Sequence, residues 1–367
     1  MIVAALLSGG VDSSVALVRA CRAGHRVTAF YLKIWLEDEL HFLGRCPWEE
    51  DLGFVRATCR RYGVPLEVVP LQQEYHRDVV QHTLEELRQG RTPSPDLRCN
   101  RYIKLGAFAD WLGDGFDCIV TGHYARRRRD GIARWQLLRG RDAVKDQTYF
   151  LAAITTEQLG RVWFPLGDAS KSAVRAEAAE LTLPSADRPD SQGICFLGNV
   201  PYRAFVAAHL GEQDGPIREW QTGANLGTHR GHWFHTIGQR QGLGLGNGPW
   251  YVVAKEVTDN TVWVSRDKQA TASDQLRLGS VVWRKQPIQE RLSVRVRHGE
   301  ALLPGRIALS LAENEATVFL ESTEPGVATG QYAVLYQDEV CLGCGVIVDV
   351  ASTERLASGG TPLLGAA

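Results

Sequence analysis

The chain has 367 residues, enough for more than one domain at the usual size of about 100 to 200 residues each. Hydrophobic residues make up 44% and charged residues 23%, which is typical of a folded globular protein and excludes a disordered or collagen-like chain. The 41 Lys and Arg residues nearly balance the 42 Asp and Glu residues, so the net charge of -1 does not indicate a nucleic-acid or membrane partner, and any RNA site must be a local patch.

No uninterrupted apolar run of about 20 residues is present, and the apolar start at 2–7 is too short for a signal peptide. We therefore expect a soluble, intracellular protein with no membrane partner, and the absence of a presequence favours the cytoplasm. The 8 cysteines are too sparse for a disulfide scaffold. Most of them are expected to be buried thiols.

The first half of the chain alternates short apolar runs with helical patterns. Ser8-Gly9-Gly10 interrupts the first apolar run, and valines recur at helical spacing after it. The further predicted elements are a strand at Arg26–Ile34, a helix at Leu52–Tyr62, a strand at Leu66–Pro70, a helix at Glu74–Arg88, a helix at Tyr102–Trp111 and a strand at Asp117–Thr121. This alternation predicts parallel strands joined by right-handed crossovers, and therefore a doubly wound, Rossmann-like α/β sheet.

From about residue 200 the pattern changes to short β-branched segments separated by Gly, Asn, Asp or Pro. These segments are Trp250–Val257, Thr261–Ser265, Leu292–Arg297, Glu315–Leu320, Tyr332–Tyr336 and Gly345–Val350. They predict an all-β barrel, and the Gly-rich stretch 223–248 predicts a small domain before it. We predict an α/β domain over 1–200, a small central domain over 201–270, a β-barrel over 271–351 and a tail over 352–367.

The heptapeptide Ser8-Gly9-Gly10-Val11-Asp12-Ser13-Ser14 lies between the first strand and the first helix. Glycines let backbone amides approach an anion, and the helix N-terminus directs unpaired N–H groups and partial positive charge at it. The serines add hydroxyl donors, and Asp12 could hold a cation on a bound phosphate. Neither a Walker A nor a Gly-x-Gly-x-x-Gly pattern is present. The alternative is a tight turn capped by serines, which does not by itself require this cluster.

Two cysteines lie in loops rather than on apolar faces. Cys99 follows the proline-stiffened Pro93-Ser94-Pro95-Asp96 at the start of a predicted helix, where the helix dipole favours a thiolate. Asp96 could move a proton there. Cys195 lies within the glycine-flanked stretch 190–198. Only the fold can bring these two thiols together, and for an arbitrary cysteine a buried structural role is the better interpretation.

The Ser8–Ser14 loop resembles that of the ATP pyrophosphatase superfamily, whose members adenylate a carbonyl oxygen and release pyrophosphate. Further strings along the chain narrow the resemblance. They are Pro-Ser-Pro-Asp-x-x-Cys-Asn at 93–100, Ile-Lys-Leu-Gly at 103–106, Thr-Gly-His-Tyr-Ala at 121–125, Lys-Asp-Gln-Thr-Tyr-Phe-Leu at 145–151, Gly-Ile-Cys-Phe at 193–196, His-Thr-Ile-Gly-Gln-Arg at 235–240 and Val-Cys-Leu-Gly at 340–343. Together they are similar to the tRNA-specific 2-thiouridylases, which exchange oxygen for sulfur at position 2 of the wobble uridine. The resemblance runs from Ser8 to about Val350.

The resemblance implies a role for each matching residue. ATP, with Mg²⁺ on its phosphates, would contact Leu6, Leu7, Ser8, Gly9, Gly10, Val11, Asp12, Ser13, Leu32 and Gly122. Cys195 would carry sulfur as a persulfide received from a donor protein, either a desulfurase or a sulfur relay. Cys99 would attack that persulfide or assist its release, leaving a Cys99–Cys195 disulfide, and Asp96 would act as acid or base. No metal bound by the protein alone is predicted.

The same resemblance implies the contacts with tRNA. Ser94, Pro95 and Asp96 would surround the target base, and the further tRNA contacts would be His123, Lys145, Asp146, Gln147, Arg297, His298 and Gln331. The run Arg126–Arg129 suits an RNA backbone, although it could instead be a solvated hairpin around Asp130-Gly131.

Two features depart from the family pattern. Ala328-Thr329-Gly330-Gln331 stands where Thr-Pro-Gly-Gln is more usual, and Cys344 stands where glycine is more common. With no second Cys/His pair close by, Cys341 and Cys344 are expected to be strand cysteines rather than zinc ligands. Two other functions remain open: an ammonia-using synthetase on the same nucleotide fold, and a tRNA-binding protein without catalysis. The first would not need Cys99 and Cys195. The intact stretch Ser8–Ser13, part of the Ser8–Ser14 segment that is called the phosphate loop below, argues against the second.

Overall fold

The computed structural model describes residues 1–34, 48–132, 134–190, 200–299, 301–310 and 314–352. The chain forms two compact units. The first comprises Met1–Val80, Pro95–Tyr202 and Glu339–Leu342, and the second comprises Gln81–Ser94, Arg203–Asp338 and Gly343–Ala367. The finer division into 1–200, 201–270, 271–351 and 352–367 stays a prediction.

The elements of the N-terminal half follow in chain order. They are β1 (Ile2–Leu6), α1 (Val11–Arg22), β2 (Arg26–Lys33), α2 (Trp48–Tyr62), β3 (Leu66–Pro70), α3 (Gln72–Tyr75), a π-helical segment (His76–Val80), α4 (Gln81–Arg88), α5 (Pro95–Arg98), a second π-helical segment (Cys99–Ala107), α6 (Phe108–Leu112), β4 (Cys118–Val120), β5 (Ala125–Arg129), β6 (Trp135–Arg139), α7 (Thr156–Gly160), β7 (Val162–Trp163), α8 (Lys171–Glu180) and α9 (Tyr202–Leu210).

The first unit is built on a five-stranded parallel sheet in the order β3-β2-β1-β4-β7. β1 is central, and its residues Val3, Ala4 and Ala5 are buried, as expected for a strand covered on both faces. The chain moves outward from β1 to β3 and then returns to β4 on the other side of β1. The predicted doubly wound α/β fold is therefore confirmed, with a topological switch point between β1 and β4.

Two predicted helices differ in detail from the structure. The helix expected at Glu74–Arg88 consists of α3, the π-helical segment His76–Val80 and α4. The helix expected at Tyr102–Trp111 begins at Pro95, and its middle part, Cys99–Ala107, is π-helical. A π turn inserts one residue into the helical repeat, and such turns are frequent at functional sites.

From Gly215 onward, the elements of the described residues are strands and two short 3₁₀ turns at His232–Phe234 and Lys268–Thr271. The strands are β8 (Gly215–Glu219), β9 (Asn225–His229), β10 (Tyr251–Glu256), β11 (Thr261–Ser265), β12 (Ser273–Trp283), β13 (Arg291–Arg295), β14 (Leu303–Leu309), β15 (Ala316–Glu324), β16 (Tyr332–Gln337) and β17 (Val340–Ala351).

The second unit contains a four-stranded sheet and a barrel. The sheet has the order β10-β11-β8-β9 and encloses a small core around Val252, Val262 and Val264. The barrel has the order β12-β15-β14-β13-β16-β17 and closes through the pairing of β12 with β17. The predicted small central fold and C-terminal barrel are therefore confirmed, and Cys341 and Cys344 are buried strand residues as expected. Among the described residues, no helix is long and apolar enough to cross a membrane.

Candidate active site

The Ser8–Ser14 loop forms the junction between β1 and α1. Gly10 is the N-cap of α1 and supplies no side-chain cap, so the first N–H groups of the helix point into the loop. The Ser13 hydroxyl accepts a hydrogen bond from the Ser8 N–H at 3.2 Å and donates to the Gly10 carbonyl at 3.1 Å. The loop is therefore shaped by its own serines, with the N-terminus of α1 directed at it.

Glycine is required at position 9 because of both conformation and space. Gly9 has a φ of +79°, and a Cβ there would lie 2.7 Å from the carbonyl oxygen of Asp51. Arg188 donates to the Gly9 carbonyl at 3.0 Å and forms an ion pair with Asp51 at 2.7 Å. Asp51 and Arg188 therefore fix the loop from two other parts of the chain.

The predicted ATP contacts lie at one edge of the sheet. Parallel pairing places the carboxyl ends of β1, β2 and β4 at the same edge, where open α/β sheets bind ligands. Leu32 is near the end of β2, and Gly122 follows β4. A Cβ at Gly122 would lie 2.8 Å from the backbone nitrogen of Ser13, so this strand end lies directly against the phosphate loop.

A network of charges surrounds Asp12. The Tyr124 hydroxyl donates to the Asp12 carboxylate at 2.8 Å, and Lys171 Nζ lies 2.7 and 2.8 Å from its two oxygens. Lys171 Nζ is also 2.8 Å from Asp190, which forms a further ion pair with Arg175 at 2.6 Å. The members of this network are far apart along the chain and carry no common motif, so the sequence alone does not predict it.

The network perturbs two pKa values. Burial raises the pKa of Tyr124, and the neighbouring Asp12 carboxylate raises it further, so the phenol remains a donor. Burial also raises the pKa of Asp190, but hydrogen bonds from Lys145, Lys171 and Arg175 outweigh this effect and hold that pKa well below its ordinary value. Asp190 is therefore ionised at neutral pH and forms ion pairs with the three cationic side chains around it.

The Pro-Ser-Pro-Asp segment leads into a helical stretch that is fixed to the first unit. Pro95 is buried, Asp96 is partly exposed in the first turn of α5, and Cys99 is buried at the start of the π-helical segment. Arg98 donates to the Asp78 carbonyl at 2.7 Å, and Asn100 donates to the Phe150 carbonyl at 2.9 Å. Because the helix begins at Pro95, Cys99 lies in its second turn and not at its N-terminus.

The prediction for Cys195 lies outside the described residues. The last described residue before it is Asp190, which is linked through Lys171 to Asp12 of the phosphate loop.

Comparison with known proteins identifies the family. Residues 1–199 match the family model of the tRNA methyl transferase HUP domain, 203–266 match the tRNA methyl transferase PRC-barrel domain, and 273–347 match the aminomethyltransferase beta-barrel domain. The tRNA-specific 2-thiouridylase MnmA 2 of Bacteroides fragilis is 43% identical over 358 residues, which cover 95% of this chain and 100% of that protein. The chain belongs to the tRNA-specific 2-thiouridylase family.

Other members of the family are similarly close. The tRNA-specific 2-thiouridylase MnmA of Porphyromonas gingivalis is 43% identical over 364 residues, covering 95% of this chain and 99% of that protein. The MnmA of Parabacteroides distasonis is 41% identical over 367 residues, with the same coverage. The family resemblance inferred from the sequence motifs is confirmed.

Within this thiouridylase fold, His123 is a neutral side chain. Its Nδ1 is 2.9 Å from the Thr121 hydroxyl, and its ring packs edge-on against Phe164. Burial lowers the pKa of His123 to about 3, and the nearby Lys104 contributes in the same direction. His123 can therefore offer RNA or ATP a hydrogen bond but not a positive charge at neutral pH.

The Lys145-Asp146-Gln147 segment is bound to the first unit. Lys145 forms an ion pair with Asp190 at 2.8 Å, and the Gln147 side chain accepts a hydrogen bond from the Tyr124 N–H at 3.0 Å. Asp146 is buried, and its carboxylate accepts hydrogen bonds from Arg139 and from the N–H groups of Gly140 and Thr148. A contact of Asp146 with tRNA would therefore have to come from its backbone.

The predicted RNA contacts of the second unit lie in barrel loops. Arg297 forms an ion pair with Glu324 and donates to the Gly326 carbonyl at 3.3 Å, while its neighbour His298 is exposed. Gln331 lies in the turn before β16, and its carbonyl accepts from the Ile347 N–H at 2.8 Å. Arg297 thus stabilises a loop with the same guanidinium that was predicted to contact RNA.

The run Arg126–Arg129 lies in β5, which forms a hairpin with β6, and RNA contact by the run stays a prediction. Arg126 forms an ion pair with Glu339 at 2.6 Å. Arg127 donates to the carbonyls of Leu159 and Gly160 at 3.0 and 2.8 Å, and its guanidinium lies 4.2 Å from the centre of the Trp135 ring. These two guanidinium groups therefore serve the packing of the hairpin.

The phosphate loop also suits Mg²⁺. In the described ranges, no group of three or more His, Cys, Asp or Glu side chains could hold a metal ion by itself. Mg²⁺ commonly binds one or two carboxylates together with substrate phosphates and water. Asp12 is a carboxylate at the start of α1 and could be a ligand of that kind for Mg²⁺ on a bound phosphate.

Proposed function

We propose that this chain catalyses the ATP-dependent 2-thiolation of the wobble uridine of tRNA. The observation that carries the proposal is the Ser8–Ser13 loop at the β1/β4 switch point in a chain more than 40% identical to proteins named tRNA-specific 2-thiouridylases. The curated relatives are matched over nearly their full length, which supports the same activity for the whole chain.

The first step is the transfer of AMP to the uracil 2-carbonyl oxygen. We assign the binding of the ATP phosphates to the N–H groups of the first turn of α1 and to the Ser8 and Ser13 hydroxyls, because a helix N-terminus and hydroxyl donors attract anions. Mg²⁺, held by Asp12 and the phosphates, would neutralise the charge that builds on the departing pyrophosphate. The products are pyrophosphate and a uridine whose oxygen is a good leaving group.

The second step is the sulfur transfer. The terminal sulfur of a Cys195 persulfide adds to the activated C2 carbon, and AMP departs with the electron pair of the C–O bond. The Cys99 thiolate then attacks the Cys195 sulfur, so the persulfide S–S bond breaks and its electron pair forms the thiocarbonyl. A Cys99–Cys195 disulfide is the result, and an external thiol must reduce it before the next turnover.

Asp190 is held at the phosphate loop through Lys171. Cys195 follows Asp190 by five positions in the sequence. Asp96, partly exposed in the first turn of α5, is the group that we assign to proton transfer at the base, with Ser94 and Pro95 beside it.

The partners follow from the chemistry. The substrate is a tRNA whose anticodon loop lets the target base leave its stack at low cost. Lys145, Gln147, His123, His298 and Gln331 are the proposed contacts, together with Arg297 and the Asp146 backbone. A persulfide-bearing protein supplies the sulfur, and the cytoplasm is the proposed location.

The test supplies the protein with ATP, Mg²⁺, a persulfide source, a thiol reductant and unmodified tRNA, and measures 2-thiouridine by mass spectrometry of the nucleosides. We expect Cys195→Ser to abolish sulfur loading and Cys99→Ser to load sulfur without transferring it. Cys59→Ser is the matched control, because Cys59 is a buried cysteine of α2 whose pKa burial raises to about 11. Full activity in both loop-cysteine variants would contradict the two-thiol mechanism.

The same assay separates the two alternatives. A tRNA-binding protein without catalysis would not convert ATP to AMP and pyrophosphate when tRNA is added. An ammonia-using synthetase would release pyrophosphate without forming thiolated uridine, and its rate would not depend on Cys99 or Cys195.

A further inference from the structure

The segment Gln81–Ser94 belongs to the second unit, although the residues on both sides of it in the sequence belong to the first. It comprises α4 and the residues that follow α4, and it ends at Ser94, which is a proposed contact of the target base. Thr92 stands two positions before Ser94. Both the backbone and the side chain of Thr92 are fastened to other parts of the second unit.

The backbone of Thr92 contacts the loop that precedes β16. Its N–H donates to the Thr329 carbonyl at 2.8 Å. Gly330 has a φ of +88°, and a Cβ there would lie 2.8 Å from the Thr92 carbonyl oxygen. The loop is itself held on β17, because the Gly330 N–H donates to the Ile347 carbonyl at 2.9 Å. Thr92 therefore packs against a loop whose next residue, Gln331, is a proposed tRNA contact.

The side chain of Thr92 contacts a loop of the central sheet. Its hydroxyl lies 3.0 Å from the Thr236 hydroxyl, so that one of the two donates to the other. Thr236 belongs to the His-Thr-Ile-Gly-Gln-Arg string at 235–240, to which the proposed function gives no role. This string is fixed to β10, because the Gly238 N–H donates to the Val252 carbonyl at 2.8 Å. The Thr92 hydroxyl therefore meets a partner that the sheet holds in place.

Two prolines limit how far Ser94 can move once Thr92 is held. Pro93 and Pro95 each have a fixed φ, and the residues before them, Thr92 and Ser94, are restricted in turn. With so few free dihedral angles, the position of Thr92 largely determines that of Ser94. A misplacement of about 1 Å can lower the rate of a reaction by about 10²-fold, so this restraint matters for a residue that contacts the reacting base.

We propose that Thr92 is a positioning residue for the target uridine. The proposal rests on the proposed function, because it concerns the contact of Ser94 with the base and that of Gln331 with tRNA. Thr236 and Thr329 hold Thr92, and Thr92 in turn holds Ser94 in the place where the base arrives. A tRNA bound at Gln331 steadies the adjacent backbone on which Thr92 rests, and so favours the arrangement that receives the uridine.

Single-turnover thiolation tests the proposal. The protein is loaded with persulfide sulfur and mixed with ATP, Mg²⁺ and increasing amounts of unmodified tRNA, and the 2-thiouridine formed is measured by mass spectrometry. We expect Thr92→Val, which keeps the branched shape but lacks the hydroxyl, to lower the rate at saturating tRNA by about fivefold or more. The half-saturating tRNA concentration and the calorimetric affinity for ATP should stay within about twofold of the wild type, because the Thr92 hydroxyl is assigned to neither ligand.

Three further variants separate positioning from a general effect on folding. Thr83→Val is the matched control, because Thr83 is a buried threonine of α4 whose hydroxyl has no hydrogen-bond partner among the described residues. Thr83→Val and Thr92→Ser, which keeps the hydroxyl, should both thiolate tRNA at the wild-type rate. Thr236→Val removes the other half of the hydroxyl pair and should reproduce the loss. The double variant of Thr92→Val with Thr236→Val should be no slower than the slower single variant.

An unchanged rate in Thr92→Val, an equal loss in Thr92→Ser or a parallel loss of ATP affinity would each overturn the proposal. If Thr92→Val does not fold, Thr236→Val decides, and an unchanged rate in that variant would overturn the proposal in the same way. A wild-type protein that loads sulfur and binds ATP but never thiolates tRNA would refute the proposed function. An active wild type with an equally active Thr92→Val would refute the role of Thr92 alone.

Discussion

Gly122 lies directly against Ser13, because a Cβ at position 122 would stand 2.8 Å from the Ser13 backbone nitrogen and 2.8 Å from the Asp12 carbonyl carbon. Both neighbours are backbone atoms at the start of α1 and cannot rotate away. The contact joins the strand end after β4 to the loop after β1. The spacing between two strands of the sheet therefore determines the shape of the phosphate site.

Gly122→Ala should consequently damage both the fold and the site. We expect unfolding free energy to fall by about 1 to 3 kcal/mol, as for other overpacked positions, and ATP affinity to fall at least tenfold because α1 must shift. Chemical denaturation and ATP titration measure the two effects. In the control variant, Gly115→Ala, the nearest atom to the new Cβ is 3.8 Å away, and wild-type behaviour is expected. Equal behaviour of the two variants would contradict the close contact.

Gly9 and Gly10 are adjacent but should respond differently to alanine. Gly9→Ala forces a φ of +79° on alanine and brings its Cβ within 2.7 Å of the Asp51 carbonyl oxygen, so a loss of about 2 kcal/mol in stability is expected. Gly10→Ala meets only the Ser8 hydroxyl at 3.6 Å. Its stability should stay within about 0.5 kcal/mol of the wild type.

ATP titration completes this comparison. The methyl group of Gly10→Ala occupies the space through which a phosphate approaches the loop amides, and therefore we expect a folded protein with severely weakened ATP binding. Gly24→Ala is the control for Gly9→Ala. It imposes the same backbone strain, with a φ of +76°, but no described atom lies within 4 Å of its Cβ position, so it shows the effect of strain without crowding. Normal ATP binding by Gly10→Ala would argue against phosphate binding at this loop.

The sequence predicted the phosphate loop and its place in the fold because both depend on local order. An apolar run followed by Ser-Gly-Gly and a helical repeat specifies a buried strand, a turn and a helix start within a few residues. The π-helical segment at Cys99–Ala107 was missed because one inserted residue hardly changes an apolar repeat of that length. The helix start at Pro95 was not predicted because Pro93 and Pro95 favour a loop, although proline is also tolerated in the first turn of a helix.

The charge network could not be predicted from sequence because its members meet only in the folded chain. Lys171 and Asp190 lie far from Asp12 in the sequence, and nothing in the residues around Lys171 distinguishes it from a surface lysine at a helix N-terminus. The arginine run illustrates the same point. An RNA patch and a solvated hairpin are both consistent with its composition. The ion-pair partner of Arg126, Glu339, comes from a distant part of the sequence.

The role of the arginine run leads to a prediction about RNA binding. Arg127→Met should lower stability by about 2 kcal/mol, because it removes hydrogen bonds to two carbonyls and the stacking on Trp135. It should leave tRNA affinity within about twofold of the wild type. A filter-binding assay over a range of salt concentrations measures this, since a lost phosphate contact would lower the salt slope by about 1. A reduced salt dependence of tRNA binding in Arg127→Met would show that Arg127 contacts an RNA phosphate.

The central sheet of the second unit contains a buried histidine pair that should make the protein sensitive to acid. The rings of His229 and His235 lie 5.3 Å apart, and Nδ1 of His235 is buried without a hydrogen-bond partner among the described residues. Burial lowers the pKa of His235 to about 4, and repulsion from His229 and Lys255 acts in the same direction. His235 is therefore neutral in the folded protein at neutral pH.

The direction of the pH effect follows from proton binding. The ordinary pKa of histidine is about 6.5, so between pH 6.5 and 4 the unfolded chain binds more protons at His235 than the folded chain does. Stability must fall as the pH falls through this window, by on the order of 3 kcal/mol for this residue. His235→Phe keeps a ring against His229 but cannot take up a proton. We expect urea unfolding curves of the variant to lose less stability than those of the wild type between pH 6.5 and 4, with the two proteins differing by about 1 kcal/mol or less at pH 7.5. Parallel pH profiles for the two proteins would show that His235 does not titrate on unfolding in this range.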